Sequence, residues 1–205
     1  MRSTRAGGLL VATLATVVPR PSACQELHVD PSASNVVRFV SHTQVDEFEG
    51  VTPKIDGYAL LDGQPLSAST RADRTELYFE VDLASLDTGL GLRNRHMRDN
   101  YLEVERYPYA TFKGRLARVG SAEQGAVHVT AVGTFSIHGV SAEREIPCEV
   151  TPNGTAYRTR CSFPVLLSDH RISIPKIMFL KLANEIELEV DFTLSPTGDH
   201  PETNP

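Results

Sequence analysis

The chain has 205 residues, 40% hydrophobic and 22% charged, which is the composition of one globular domain or at most two small ones. The formal net charge is -6 and no basic patch stands out. A nucleic-acid partner would need clustered Lys and Arg to neutralise phosphates, so none is expected.

Residues 1–23 differ from the rest. Arg2 and Arg5 open an uncharged apolar run at 7–18, and the small residues Ser22 and Ala23 follow it. This is the pattern of a secretory signal peptide, too short to span a bilayer. Its removal, with three Arg and no acid, takes the formal charge from -6 to -9. The expected location is therefore the periplasm or the exterior, and no later stretch is long and apolar enough for a membrane span. Cys24 then becomes a candidate first residue and lipid anchor, although the preceding Pro-Ser-Ala lacks the Leu expected three positions earlier.

From residue 27 the dominant signal has period two. SNVVRFVSH is a short candidate strand. In TELYFEVDL, Leu77, Phe79, Val81 and Leu83 alternate with Glu76, Tyr78, Glu80 and Asp82. ATFKGRLARV puts Phe112 and Leu116 on one side, with Gly114 between them as a site of bending or close backbone approach. In AVHVTAVGTFSI, Val127, Val129, Ala131, Gly133, Phe135 and Ile137 share a face. EREIPCEV, YRTRCSFPVLL and EIELEVDFTL complete the strands. In the last, Ile186, Leu188, Val190, Phe192 and Leu194 oppose Glu185, Glu187, Glu189, Asp191 and Thr193. Asp30-Pro31, Asp56-Gly57, Asp62-Gly63, Asn153-Gly154 and the Ser195-Pro196 exit read as turns. Only residues 89–105 break the rhythm, with Leu92, Met97, Tyr101 and Leu102 spaced for a short helix that Pro108 stops. Residues 195–205 read as a disordered tail.

Cys148 and Cys161 stand at nearly equal distances from Asn153-Gly154, a strong hairpin signal. A disulfide across that hairpin is favoured over two free thiols in an oxidising compartment. Asn153-Gly154-Thr155 also matches a glycosylation sequon, but turn chemistry alone explains Asn-Gly.

About eight antiparallel strands, each with one apolar face, pack as a two-sheet sandwich or close into a barrel. Runs of nine to twelve residues suit tilted barrel strands, and an eight-stranded barrel is either filled by side chains or holds one small ligand. These lengths favour a barrel but leave the sandwich open.

The stretch SLDTGLGLRNRHMRDNYLEVERYPYATFKG resembles the signature of the YceI-like family. Ser85, Thr88, Gly89, Arg93, His96, Tyr101, Leu102, Tyr107, Pro108 and Phe112 occupy the family's positions. VGTFSIHGVSAEREIPCEV resembles its strand–turn–strand corner at His138, Gly139 and Val140, and LANEIELEVDFTL its closing strand. The Cys148/Cys161 pair departs from the usual pattern. The resemblance covers about residues 27–194 and implies an all-β fold, a single antiparallel eight-stranded lipocalin-like barrel over residues 24–194 with one short helix in a connecting segment. It also implies a periplasmic barrel that binds polyisoprenoids or related long-chain amphiphiles; the expected cargo is such a lipid, quinone-like or fatty, carried without catalysis and without a cofactor by a monomer or homodimer. It implies that Leu77, Phe79, Val81, Phe112, Val127, Val129, Phe135, Ile137, Ile186, Leu188, Val190 and Phe192 line the tail site. Arg93, Arg95, His96 and Arg98 are candidates for polar contacts at its mouth.

Other chemistry has less behind it. His42, His96, His138 and His170 fall in no zinc or copper ligand spacing, so no metal is expected. Ser136 and His138 share a strand face as a candidate hydrolytic dyad, against the commoner reading of a polar outer face. Neither a Gly-x-Ser-x-Gly elbow nor a phosphate-binding Gly loop occurs. The alternatives to a carrier are a lipid hydrolase or isomerase, and a barrel filled solidly as a structural module.

Overall fold

The computed structural model describes residues 24–42, 47–62, 66–174, 176–177, 180–181 and 183–196. The expected leader, residues 197–205 of the expected tail and the side chain of His42 lie outside the described residues.

The strands are β1 (Cys24–Val29), β2 (Val36–His42), β3 (Glu47–Thr52), β4 (Ile55–Asp62), β5 (Glu76–Asp82), β6 (Tyr109–Glu123), β7 (Ala126–Ile137), β8 (Val140–Asn153), β9 (Ala156–Leu166) and β12 (Glu185–Pro196), with a two-residue pair, β10 (Lys176–Ile177) and β11 (Leu180–Lys181). One short helix, α1 (Gly91–His96), continues into a wider π-type turn at Met97–Tyr101. Antiparallel pairing runs β1-β4-β5-β6-β7-β8-β9-β12, and β12 pairs back onto β1, so eight strands close a barrel. The alternation of the sequence becomes an inner oily wall and an outer polar one.

The closing strand makes this possible because it is long. Its end pairs with β1 (Val29↔Leu194) and its beginning with β2 (Ser41↔Ile186). Thus β1 and β2 are one barrel strand interrupted at residues 30–35. Asn35, 5% exposed, stands in for the missing ladder: its Oδ1 accepts from Thr193 N at 3.1 Å and its Nδ2 donates to Asp30 O at 2.8 Å. Likewise β3 and β4 are one strand kinked at Pro53-Lys54. Beyond β2, β3 meets the rest of the wall through the isolated bridge Val51↔Asp87 and the hydrogen bond between Thr52 Oγ1 and Ser85 Oγ (2.5 Å).

Several turn expectations are corrected. Asp56-Gly57 lies inside β4, where Gly57 (φ 137°) permits close approach: a Cβ there would stand 2.1 Å from Tyr78 O. Ser195-Pro196 belongs to β12 and pairs with β1, so the strand outlasts its expected end by two residues. The β8–β9 loop is Gly154-Thr155, with Asn153 paired to Ala156, one residue later than Asn-Gly suggested. That register sets Cys148 directly opposite Cys161, and the two are bridged. The helical segment ends at Tyr101 rather than at Pro108. Gly114 does mark a close approach, facing Gly133 across β6–β7, where a Cβ on either would fall within 2.3 Å of a carbonyl oxygen.

The strand ends define two ends of the barrel. At one, the β6–β7 and β8–β9 hairpins meet residues 66–75, which cover the opening. There Leu66 N donates to Tyr157 Oη (3.3 Å) and Leu116 N to Thr75 Oγ1 (2.8 Å). At the other lie α1, the His138-Gly139 turn and the β10–β11 pair.

Candidate functional site

The barrel is hollow, with a cavity of about 770 Å³ along its axis. Leu27, Leu61, Leu66 and Tyr157 form its floor, and Phe48, Leu90, Leu92, Arg93 and His96 its mouth. The side chains report the same shape. Near the covered end Leu27, Ala59, Leu61 and Tyr157 are 4% exposed or less. Toward α1, the inward Phe79, Val81, Ile137, Ile186, Leu188 and Val190 stay half-buried. An inward apolar residue that remains partly exposed has open space beside it, even where the Phe79 and Phe192 rings meet edge to face across the lumen at 5.0 Å. This sets aside the solidly filled barrel.

Every expected lining residue except Val127 borders the cavity: Leu77, Phe79, Val81, Phe112, Val129, Phe135, Ile137, Ile186, Leu188, Val190 and Phe192. Val127 is 2% exposed near the start of β7, opposite Val150, which does border the cavity. Phe39, Phe48, Ile146, Phe163 and the bridged Cys148 and Cys161 also line the space. They were legible as alternating residues of candidate strands, or lay in a strand without a clear alternation, as Phe48 does in β3.

Two lining hydroxyls escaped the sequence reading. Ser41 Oγ (residue 2% exposed) and Thr159 Oγ1 (7%) are buried without a hydrogen-bond partner among the described residues. A small polar residue at an inward position was the available signal: Ser41 two after Phe39, Thr159 between Tyr157 and Cys161. Buried polar atoms are normally satisfied, so such atoms facing an otherwise oily space mark where a guest oxygen or a water would sit.

The family-like motif residues hold the mouth. Thr88, 8% exposed, donates both N and Oγ1 to Asn94 Oδ1 (2.8 and 2.6 Å). Arg93 donates Nε to Thr88 Oγ1 (2.9 Å) and Nη2 to Thr88 O, and its guanidinium lies 4.8 Å from the Phe48 ring centroid. Asp87 accepts from Gly89 N and Asn94 Nδ2 (2.8 and 2.7 Å). The Asn94 bond first, then that of Gly89, holds its carboxyl below the usual value. Arg98 donates Nη2 to Leu86 O at 2.8 Å. Of the four candidate polar residues, Arg93 and His96 border the cavity, while Arg95 and Arg98 do not. Leu90 and Leu92 at the rim are 58% and 65% exposed.

The candidate dyad does not assemble. Ser136 Oγ pairs with Ser141 Oγ at 2.7 Å. His138 leaves the strand at φ 54°, and its ring nitrogens face His170 O (3.1 Å) and Glu103 Oε1 (3.3 Å). Gly139 follows over the Tyr107 ring. Tyr78, pushed up to about 12 by its hydrogen bond to Glu80, burial and that carboxylate's charge, stands on the outer face. Among the described residues no three His, Cys, Asp or Glu side chains gather as metal ligands, and no helix is long and apolar enough to cross a membrane.

A family model described as YceI-like domain matches residues 27–194. The crystal structure of Burkholderia cenocepacia BcnA superposes with a TM-score of 0.64 at 22% identity, covering 80% of this chain and 98% of that one. A polyisoprenoid-binding domain from Saccharophagus degradans, implicated in plant cell wall breakdown, gives 0.63 at 15% identity, covering 85% and 99%. The Campylobacter jejuni YCEI protein gives 0.55 at 19% identity, covering 74% and 86%. No curated protein matches the chain.

Proposed function

Because the chain belongs to the YceI-like domain family, we propose that its barrel is a container for one long-chain isoprenoid or similar amphiphile, held without chemical change. The observation that carries this reading is the lumen, about 770 Å³ and walled almost entirely by aliphatic and aromatic side chains. Such a volume falls within the range of small-molecule sites. The polyisoprenoid-binding description of the Saccharophagus domain supports the choice of ligand class.

Burial of a tail releases about 0.8 kcal/mol per methylene. A long prenyl chain would on that basis exceed the practical ceiling of about 20 kcal/mol, so the ordering of a flexible tail must offset much of the gain. Affinity then follows how much tail the tube accepts, and selectivity follows the few polar atoms it meets. Thr159 and Ser41 offer hydroxyls inside, and Arg93 a guanidinium at the mouth. The cargo is therefore read as an amphiphile bearing oxygen, quinone-like or fatty, rather than a pure hydrocarbon. Ser136 and His138, each bonded elsewhere, give no support to a hydrolase. The amino-terminal pattern supports work in the periplasm or outside the cell. Cys24, which is exposed, remains the candidate anchor.

Native mass spectrometry of protein purified without detergent tests the proposal. One bound amphiphile per chain, or uptake of one added prenyl lipid, is expected; a bare chain that refuses prenyl alcohols, quinones and fatty acids alike overturns it. The Thr159→Val variant keeps the shape and removes the hydroxyl. It is expected to weaken a prenyl quinone by about three- to tenfold, the worth of one hydrogen bond, and to leave a prenyl hydrocarbon unaffected.

A further inference from the structure

A carrier must meet the phase that holds its cargo, and the rim of this barrel has an unusual surface. Leu90 and Leu92 flank the first residue of α1, border the cavity and are yet 58% and 65% exposed. A large aliphatic side chain so open to water costs about as much as its burial would return. Here two stand together. Their neighbours are cationic: from Leu90 through Arg98 the chain carries three Arg and no acid, within a protein of net charge -6. Arg93 and Arg98 are tied to Thr88 and Leu86, which fixes their charges at the rim. Arg95 is exposed and has no hydrogen-bond partner among the described residues. Of the acids nearby, Asp87 is turned onto Gly89 and Asn94, Glu103 faces His138, Glu49 lies 3.3 Å from Arg38 Nε, Glu47 is exposed beside Phe48, and Asp99 and Glu105 are exposed in the segment that leads away.

We propose that the mouth of the barrel docks on an anionic lipid bilayer, with Leu90 and Leu92 entering the acyl boundary and Arg95, flanked by Arg93 and Arg98, meeting the headgroups. Apolar residues beside cations form the surface that interfacial segments present to lipid. The acidic remainder of the chain does not prevent this. At physiological salt charges are screened beyond about 8 Å, so only groups at the contact feel the surface. Docking at this end also aligns the cavity with the tails below, so that a guest crosses from bilayer to lumen without passing through water. The docking surface extends the container reading but stands on the exposure and charge of the rim, and the two can fail separately.

Co-sedimentation of the full chain with extruded vesicles tests it. Binding is expected to vesicles of phosphatidylcholine with one third phosphatidylglycerol, to weaken on raising salt, and to be poor with phosphatidylcholine alone. Arg95→Gln is expected to cost about fivefold. The pair Leu90→Ser and Leu92→Ser is expected to cost at least about tenfold, with an unchanged circular dichroism spectrum and melting temperature. No binding by the parent chain, equal binding to both vesicles, or indifference to the Leu pair overturns docking. So does a concentration-dependent dimer abolished by the Leu pair, since a second copy then covers the patch. Prenyl uptake from ethanol into vesicle-free protein is read in parallel: its failure strikes the container, not the docking.

Discussion

Asp87 illustrates how single side chains set the mouth. Its carboxylate caps Gly89 N and holds Asn94, which in turn receives both donors of Thr88. Its folded value is lowered, so its contribution is complete above the ordinary carboxylate range and is lost as pH falls through that lowered value. Protection of the amides of residues 88–94, taken relative to their intrinsic exchange rates, should therefore be high at neutral pH, fall in acid as that carboxylate is protonated, and be low at every pH in Asp87→Ala. Gly139 is a second fixed point. With φ 71° and a Cβ position 2.4 Å from the Tyr107 ring, Gly139→Ala should cost about 2 kcal/mol in urea titration. The family resemblance pointed to Gly139 and to Thr88 and Gly89 beside Asp87, but passed over Asp87 itself. It could not say that they are braces rather than ligands, because a hydrogen bond between residues 87 and 94 leaves no periodic trace.

At the scale of elements, strands with strict alternation were legible: β5, β7, β9 and β12 stand where the oily and polar residues alternate. β1, β3 and β4 were not. β4 carries Asp56-Gly57, whose turn chemistry masks a strand, and the glycine serves instead to let Tyr78 O approach. The broken pairs β1/β2 and β3/β4 are short because each is half of a barrel strand, and half a strand offers too few alternations to read. The β8–β9 hairpin was recognised, but its loop lies one residue later, and only that register puts the two cysteines face to face. Closing a loop of this size stabilises by about 3 kcal/mol. Cys148→Ala with Cys161→Ala should lower the urea midpoint accordingly. Because both residues also line the lumen, the variant should change its tail-length preference as well.

At the scale of the whole molecule the question was volume, which composition cannot supply. The same inward Phe and Leu residues would fill a narrower tube. What opens the lumen is the strand number and pairing, which no local window contains. A direct consequence is a core that tolerates enlargement. Leu188→Trp should change folding stability by less than about 1 kcal/mol, where a packed core would lose 1–3, and should cut binding of a long prenyl lipid at least tenfold. Bound cargo should in turn stabilise the barrel by mass action, by about 2.7 kcal/mol at a hundredfold excess over the dissociation constant, readable as a higher melting temperature.

The lone bridge between Val51 and Asp87 leaves the wall asymmetric in strength. Elsewhere, unzipping neighbours means breaking a ladder such as the one joining β7 to β8 along its length. Here the backbone ladder shrinks to two hydrogen bonds, Val51 N to Asp87 O and Asp87 N to Val51 O, helped by the Thr52–Ser85 hydroxyl pair and by the Arg93 guanidinium on the Phe48 ring. Their release would split the rim lengthwise and widen the entrance while the lower ring stayed shut, giving a bulky guest a way in that does not require the fold to come apart.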